Sequence, residues 1–209
     1  MRLVAAILTT LMLPAAALAN PTLETYKYAI NRNGEQIGTH TIELMRNGQE
    51  TLVNISTRVE VKIMLITAYR FEQDESERWI TGRLVSLNAV TNDNGTYHKL
   101  EVGQKGSVLQ VDADGKATQA DGSVIPNSLW NTSLLRQAVT LNIRDGSVAH
   151  ISVVDDGVED VMVRGEPAKA HHYAIQGPFP EDVWYDEQGH LIQAQFYGSD
   201  GSTIFYQLI

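Results

Sequence analysis

The chain has 209 residues, 43% of them apolar and 20% charged, with no cysteine and a formal net charge of −9. That length suits one domain of ordinary size, and the composition excludes a disordered chain, a collagen-like chain and a disulfide scaffold. The acidic balance argues against nucleic acid or anionic lipid as a bulk electrostatic partner. Without a thiol, neither a disulfide nor thiolate chemistry is open to it.

Met1-Arg2 gives a short positive start, Leu3 to Leu13 is an uncharged apolar run, and Ala17-Leu18-Ala19 is a small-x-small cleavage site. This is the layout of a secretory signal peptide cleaved after Ala19. A spanning helix needs about 20 apolar residues; the run here is shorter, and Pro14 interrupts it. The expectation is a periplasmic or secreted protein, with residues 1–19 as signal and 20–209 as a single β-rich domain. No later run is long and apolar enough to span a membrane.

The body reads as a series of hairpins. Asn-Gly or Asp-Gly pairs stand at 33–34, 47–48, 94–95, 114–115, 121–122, 145–146, 156–157 and 200–201, and such pairs tolerate the positive φ of tight turns. β-branched and aromatic runs of period two flank them. Tyr26, Tyr28 and Ile30 alternate with polar neighbours; Val53, Ile55, Thr57, Val59, Val61 and Ile63 hold one face of a long half-buried strand. In the next strand Tyr69 and Phe71 open a face that Gln73, Glu75 and Glu77 continue before Trp79. Both faces of that middle are polar, so it reads as an edge, an overhang or the wet part of a groove.

One segment changes period. Pro126 to Gln137 places Leu129, Trp130, Leu134 and Ala138 near one helical face, and Pro126 suits a first helical position. Strand patterns then resume to Leu208. The predicted architecture is mainly β: one large curved antiparallel sheet, a half-open barrel, with a single short helix against its concave side.

Two segments carry a family resemblance: Trp79-Ile80-Thr81-Gly82-Arg83-Leu84 with Thr91-Asn92-Asp93-Asn94-Gly95, and Asp182-Val183-Trp184-Tyr185-Asp186-Glu187-Gln188-Gly189-His190 with Asp200-Gly201-Ser202-Thr203-Ile204-Phe205-Tyr206. Together they resemble an exported bacterial family labelled domain of unknown function 6134. More loosely, the layout is similar to the family labelled 3108 and to periplasmic lipoprotein-carrier half-barrels. The resemblance implies a half-open barrel sheltering something lipophilic or part of an envelope protein, and implies no catalytic residue.

Candidate sites are few. His171 and His172 are adjacent on a strand and point to opposite faces, which disfavours a shared metal; no metal or cofactor is expected. Glu75 and Glu77 project to one side and are the one pair suited to acid–base work, although flanking Arg70 and Arg78 favour a salt-bridged face. No nucleophile elbow or phosphate loop occurs. The apolar run Ile63-Met64-Leu65-Ile66 is either closed over by the Trp130 helix or a lip that touches lipid, peptide or ligand. With Tyr69, Phe71, Leu129, Trp130 and Leu134 it forms the candidate ligand-binding set. The leading expectation is a non-enzymatic binding or carrier protein whose apolar cleft takes a lipid-like molecule or an envelope protein. The alternatives are a periplasmic hydrolase using the carboxylate pair and a scaffold in an envelope complex.

Overall fold

A computed structural model describes residues 20–198 and 200–209; the expected signal segment lies outside them. The first half is a meander of β1 (Thr22–Arg32), β2 (Glu35–Asn47), β3 (Glu50–Ile63), β4 (Ile66–Ile80), β5 (Arg83–Asp93), β6 (Thr96–Lys105), β7 (Val108–Ala113) and β8 (Lys116–Asp121). An insert follows, with β9 (Ile125–Pro126), a 3₁₀ turn (Thr132–Arg136), β10 (Val139–Leu141) and β11 (Val148–His150). The chain ends in β12 (Ser152–Val163), β13 (Glu166–Gln176), β14 (Glu181–Tyr185), β15 (Leu191–Tyr197) and β16 (Thr203–Leu208).

Thirteen strands make one antiparallel sheet in the order β12-β13-β14-β15-β16-β1-β2-β3-β4-β5-β6-β7-β8, joined across the middle by β16 against β1. Among the described residues β8 and β12 do not pair, so the sheet is a half-barrel with two open edges. Turn chemistry explains the hairpins: Asn33-Gly34, Asn94-Gly95 and Asp114-Gly115 carry positive φ at both residues, which matches the twist of the flanking strands. Thr81-Gly82 and Arg164-Gly165 do the same without an Asn or Asp. Asp156-Gly157, expected as a turn, is instead a bulge inside β12, where the register to β13 shifts.

The helix expected over 126–137 is reduced to the five-residue 3₁₀ turn, capped by Asn131, whose side chain accepts from the Ser133 N–H. Pro126 sits in β9, paired in parallel with β10, so the residue that would have opened a helix closes a strand instead. The insert still covers the concave side. Trp130 packs edge-on against Trp79 of β4 with ring centroids 5.4 Å apart. Tyr185 of β14 donates to the Leu129 carbonyl at 2.8 Å. A Cβ on Gly146 would lie 2.8 Å from Val111 and 2.9 Å from Leu100, so that glycine lets the insert rest on β6 and β7. One continuous apolar core joins the inner faces of both halves with Val124, Ile125, Leu134 and Leu141 of the insert.

Candidate functional site

The concave interior is largely filled under the insert: a recess of about 10 Å³ borders Leu134, and one of about 180 Å³ lies between Trp130, Tyr28, Leu44 and His190. A wider recess of about 420 Å³ lies at the insert's other flank, between Leu135 and Arg136 and the β13–β14 residues His171, Tyr173 and Tyr185. Ligand pockets usually run about 300–1,000 Å³, so the spaces beside Leu134 and Trp130 are too small for a lipid-sized guest, and the one recess of that volume is bordered by the charged side chains of Arg136, Lys169, Asp186 and Glu187. Leu129, Trp130 and Leu134 therefore pack the core and do not face a cleft.

Within this core lies a polar seam that the sequence placed outside. Gln73, Glu75, Glu77 and Trp79 all point inward from β4, whereas Arg70 and Arg78 pair outside with Glu60 and Glu50. His40, Thr57, Gln73 and Thr91 form one cross-strand row. There the His40 ring shares a hydrogen bond with Thr57 and Gln73 donates to Thr91, at 2.8 and 2.9 Å. Burial lowers the His40 pKa to about 4. Glu75 stands in the next row between Ile55 and Ala89, and Glu77 in the row after, between Val53 and Leu87. Both are 3% exposed.

Two indoles close on one oxygen of Glu77. Trp79 Nε1 and Trp130 Nε1 donate to Glu77 Oε2 at 2.6 and 2.7 Å, so a carboxylate of the sheet holds the insert. Among the described residues, Glu77 Oε1 and both Glu75 oxygens have no other donor. Burial, and then the charge and hydrogen bond of Glu77, push the Glu75 pKa well up. A Glu75 carboxyl kept neutral beside Glu77 leaves one buried charge for the two indoles to hold, and the pair acts as an internal strut. A trough of about 440 Å³ crosses the outer face over Thr41, Ser56, Asp74 and Ser76. Glu75 borders it only through the strand, because its carboxyl oxygens are sealed on the other side. The solvated, salt-bridged face expected for this pair is thus corrected: one face of the strand is bridged and the other is buried.

The two histidines also take carboxylates. His171 Nε2 meets Asp155 at 2.6 Å. His172 stacks on Trp184 and bonds Glu159 and Asp182 through its two ring nitrogens, each at 3.0 Å. Burial alone would lower the His172 pKa, but these two bonds outweigh it and raise it.

The Ile63–Ile66 run is not core. β2 pairs with β3 only as far as Val59, and β5 with β4 only from Phe71. Between Glu60 and Tyr69 the two strands pair with each other alone and stand out from the sheet as a finger. Its tip is bare: Ile63, Met64, Leu65 and Ile66 are 64%, 92%, 98% and 74% exposed. Gly38 explains the divergence of β2. A Cβ there would lie 2.1 Å from the Arg58 carbonyl, so only glycine allows β2 to cross β3 this closely before bending away with β1. The gap left between Gln36, Ile37, Val61 and Lys62 measures about 330 Å³.

Met64 at the turn has φ of 52°, a left-handed conformation that the chain also gives to Thr81, Leu129 and Arg164, whereas the turns at 33–34 and 94–95 use Asn-Gly. Such strain is of order 1–3 kcal/mol and gathers at functional sites. Behind the tip, Lys62 and Arg70 both bridge Glu60, whose pKa these bonds and that from Thr67 hold down near 2. Tyr69 is raised to about 12, first by burial and then by donating to Asp93 at 2.8 Å. The candidate set thus splits: Ile63, Met64, Leu65, Ile66 and Tyr69 are on the finger, Phe71 is at its root, and Leu129, Trp130 and Leu134 belong to the plugged core.

Comparison with known proteins identifies a family and a similar fold. A model of the family described as "Domain of unknown function (DUF6134)" covers residues 28–209, which carries the first resemblance; the looser ones find no support in these matches. No curated protein matches the chain. Among solved structures, the chain is similar to a β-barrel-like protein of domain of unknown function DUF1849 from Brucella abortus. The two share 9% identity and a TM-score of 0.59, over 90% of this chain and 95% of that one. At that identity the likeness concerns the fold.

Proposed function

The chain belongs to the DUF6134 family, and for it we propose an exported, non-enzymatic binding protein that docks through its β3–β4 finger rather than by enclosing a guest. One observation carries this reading: a two-stranded ribbon leaves the pairing of both neighbours beyond Val59 and Phe71 and ends in four solvent-exposed aliphatic side chains. An isolated hairpin is marginal in water, and an exposed apolar cluster on a soluble domain marks a contact surface. The packing around Leu134 and Trp130 supports the same choice, because the spaces there are too small for a lipid and the wider recess at the insert's flank is ringed by charged side chains. The sealed Glu75–Glu77 pair reads as structural, since both carboxyls are cut off from any substrate by the core. The leader-like start of the chain supports a place in the cell envelope.

The absence of cysteine makes the test clean. A Leu65→Cys variant carries one environment-sensitive fluorophore, and it is mixed with a whole envelope preparation, membranes and soluble proteins together. Emission at position 65 shifts to the blue, while a label at Gln119→Cys on β8 does not respond. Unchanged emission at position 65 in every fraction overturns the docking reading.

A further inference from the structure

Resting on that docking reading, we infer that the finger's partner is the interface of a lipid bilayer, entered by apolar insertion rather than by attraction between charges. A second feature, independent of the tip, points there. The exposed aromatic side chains are Tyr69, Tyr97, Phe179 and Tyr197, and all four belong to one end of the strands. Tyr97 adjoins the Asn94-Gly95 turn, Tyr197 pairs with Thr203 beside the β15–β16 turn, and Phe179 lies in the β13–β14 connection. The antiparallel register puts these three connections at the end from which the finger projects. The exposed apolar residues at the opposite end are aliphatic or Met: Leu23, Met45 and Met162.

The layers follow the order of a bilayer. Aliphatic side chains are outermost, aromatic side chains form a rim one step back, and Lys62 and Arg70 sit at the finger's collar. Aromatic and basic groups favour the headgroup region while aliphatics enter the acyl boundary. From its last neighbour-paired residues the finger extends about four residues, or about 13 Å at 3.3 Å per residue. Residues 32–37 at the end of the β1–β2 hairpin lie beside its base, so the apolar tip, Ile63 to Ile66, is the part free to enter the roughly 5–10 Å depth at which interfacial elements settle. Charge at the rim is mostly paired, Glu35 beside the finger being an exposed acid with no ion pair among the described residues. Asp93 is bridged by Arg144, Asp200 by Arg32, and Glu60 by Lys62 and Arg70. With a net charge of −9 for the whole chain, long-range attraction to anionic lipid does not drive the approach.

The experiment uses the Leu65→Cys label with protein-free phosphatidylcholine vesicles. The expected result is a blue shift at position 65 that is the same at low and high salt, with a smaller shift for a label at Tyr97→Cys. Met64→Asp in the labelled protein weakens vesicle binding at least about tenfold, as losing one inserted aliphatic side chain does, while its melting temperature stays within a few degrees of the parent's. Two results overturn the inference. One is a blue shift given by soluble envelope protein and not by vesicles, which makes the partner a protein and leaves the docking reading standing. The other is vesicle binding that requires anionic lipid and vanishes at high salt, which makes it adsorption of charge.

Discussion

Replacing Glu75 by Gln gives the sharpest test of the buried strut. The side chain sits between Ile55 and Ala89 with both oxygens cut off from solvent, and burial followed by the nearby Glu77 raises its pKa well above the ordinary carboxyl value of 4.5. The folded protein therefore keeps a proton that the unfolded chain releases above that value. Stability contributed by this group is complete below about pH 4.5 and declines as pH rises toward the folded pKa, by about 1.4 kcal/mol per pH unit. Glutamine has the shape of the neutral acid, and its amide N–H can donate to the free oxygen of Glu77. Glu75→Gln is expected to match the parent near pH 5 and to become progressively more stable than it at neutral and mildly alkaline pH. Urea unfolding of both proteins across that range reads the difference directly. Glu181, raised to about 8 by burial and then by Asp182, contributes to both curves and cancels. Parallel curves, or a variant that is weaker at every pH, would show that Glu75 is not held neutral.

The partner of that acid should behave in the opposite way. Glu77→Leu strands the indole N–H groups of Trp79 and Trp130; each such loss is worth about 1–3 kcal/mol, and hydrogen exchange should show the insert loosening first. At the finger, Met64→Asn with Leu65→Gly installs the turn pair used elsewhere in the sheet. It should stabilise the fold by about 1 kcal/mol in thermal unfolding while abolishing docking, and a loss of stability would show that the turn is unstrained. Gly38→Ala sets a Cβ against the Arg58 carbonyl; a free energy of unfolding lowered by about 3 kcal/mol is expected in urea, and a silent substitution would remove the account of how β2 leaves the finger.

Much of the architecture was legible because its signals are local. Alternation, Asn-Gly turns and short connections specify an antiparallel meander wherever one face is buried, and those signals place β1 to β8 close to where they lie. The helix failed for a nonlocal reason. Leu129, Trp130 and Leu134 do share a helical face, but the insert's backbone is claimed by the β9–β10 pairing and by Tyr185, which takes the Leu129 carbonyl. The buried acids were half legible: Phe71 and Trp79 bracket Gln73, Glu75 and Glu77 on one face, a pattern that points inward. What hid them is that tolerance of a carboxyl in a core depends on its donors, and the second indole arrives from Trp130, 53 residues away.

The finger shows where such reading stops. Ile63 to Ile66 looks the same in a list of residues whether it is covered or bare, since burial depends on how far the neighbouring strands run. Here β2 turns away at Gly38 and β5 begins its pairing with β4 only at Asp93 opposite Phe71, so the tip of the longest hairpin is left without a paired neighbour on either side. Two features make this more than an accident of strand length. An Asn-Gly tip would relieve both the positive φ of Met64 and the bare aliphatics, and the chain uses that pair at other turns of the same sheet. Keeping Met-Leu instead costs the folded chain stability, a cost that the docking proposed for the finger would offset by burying the tip.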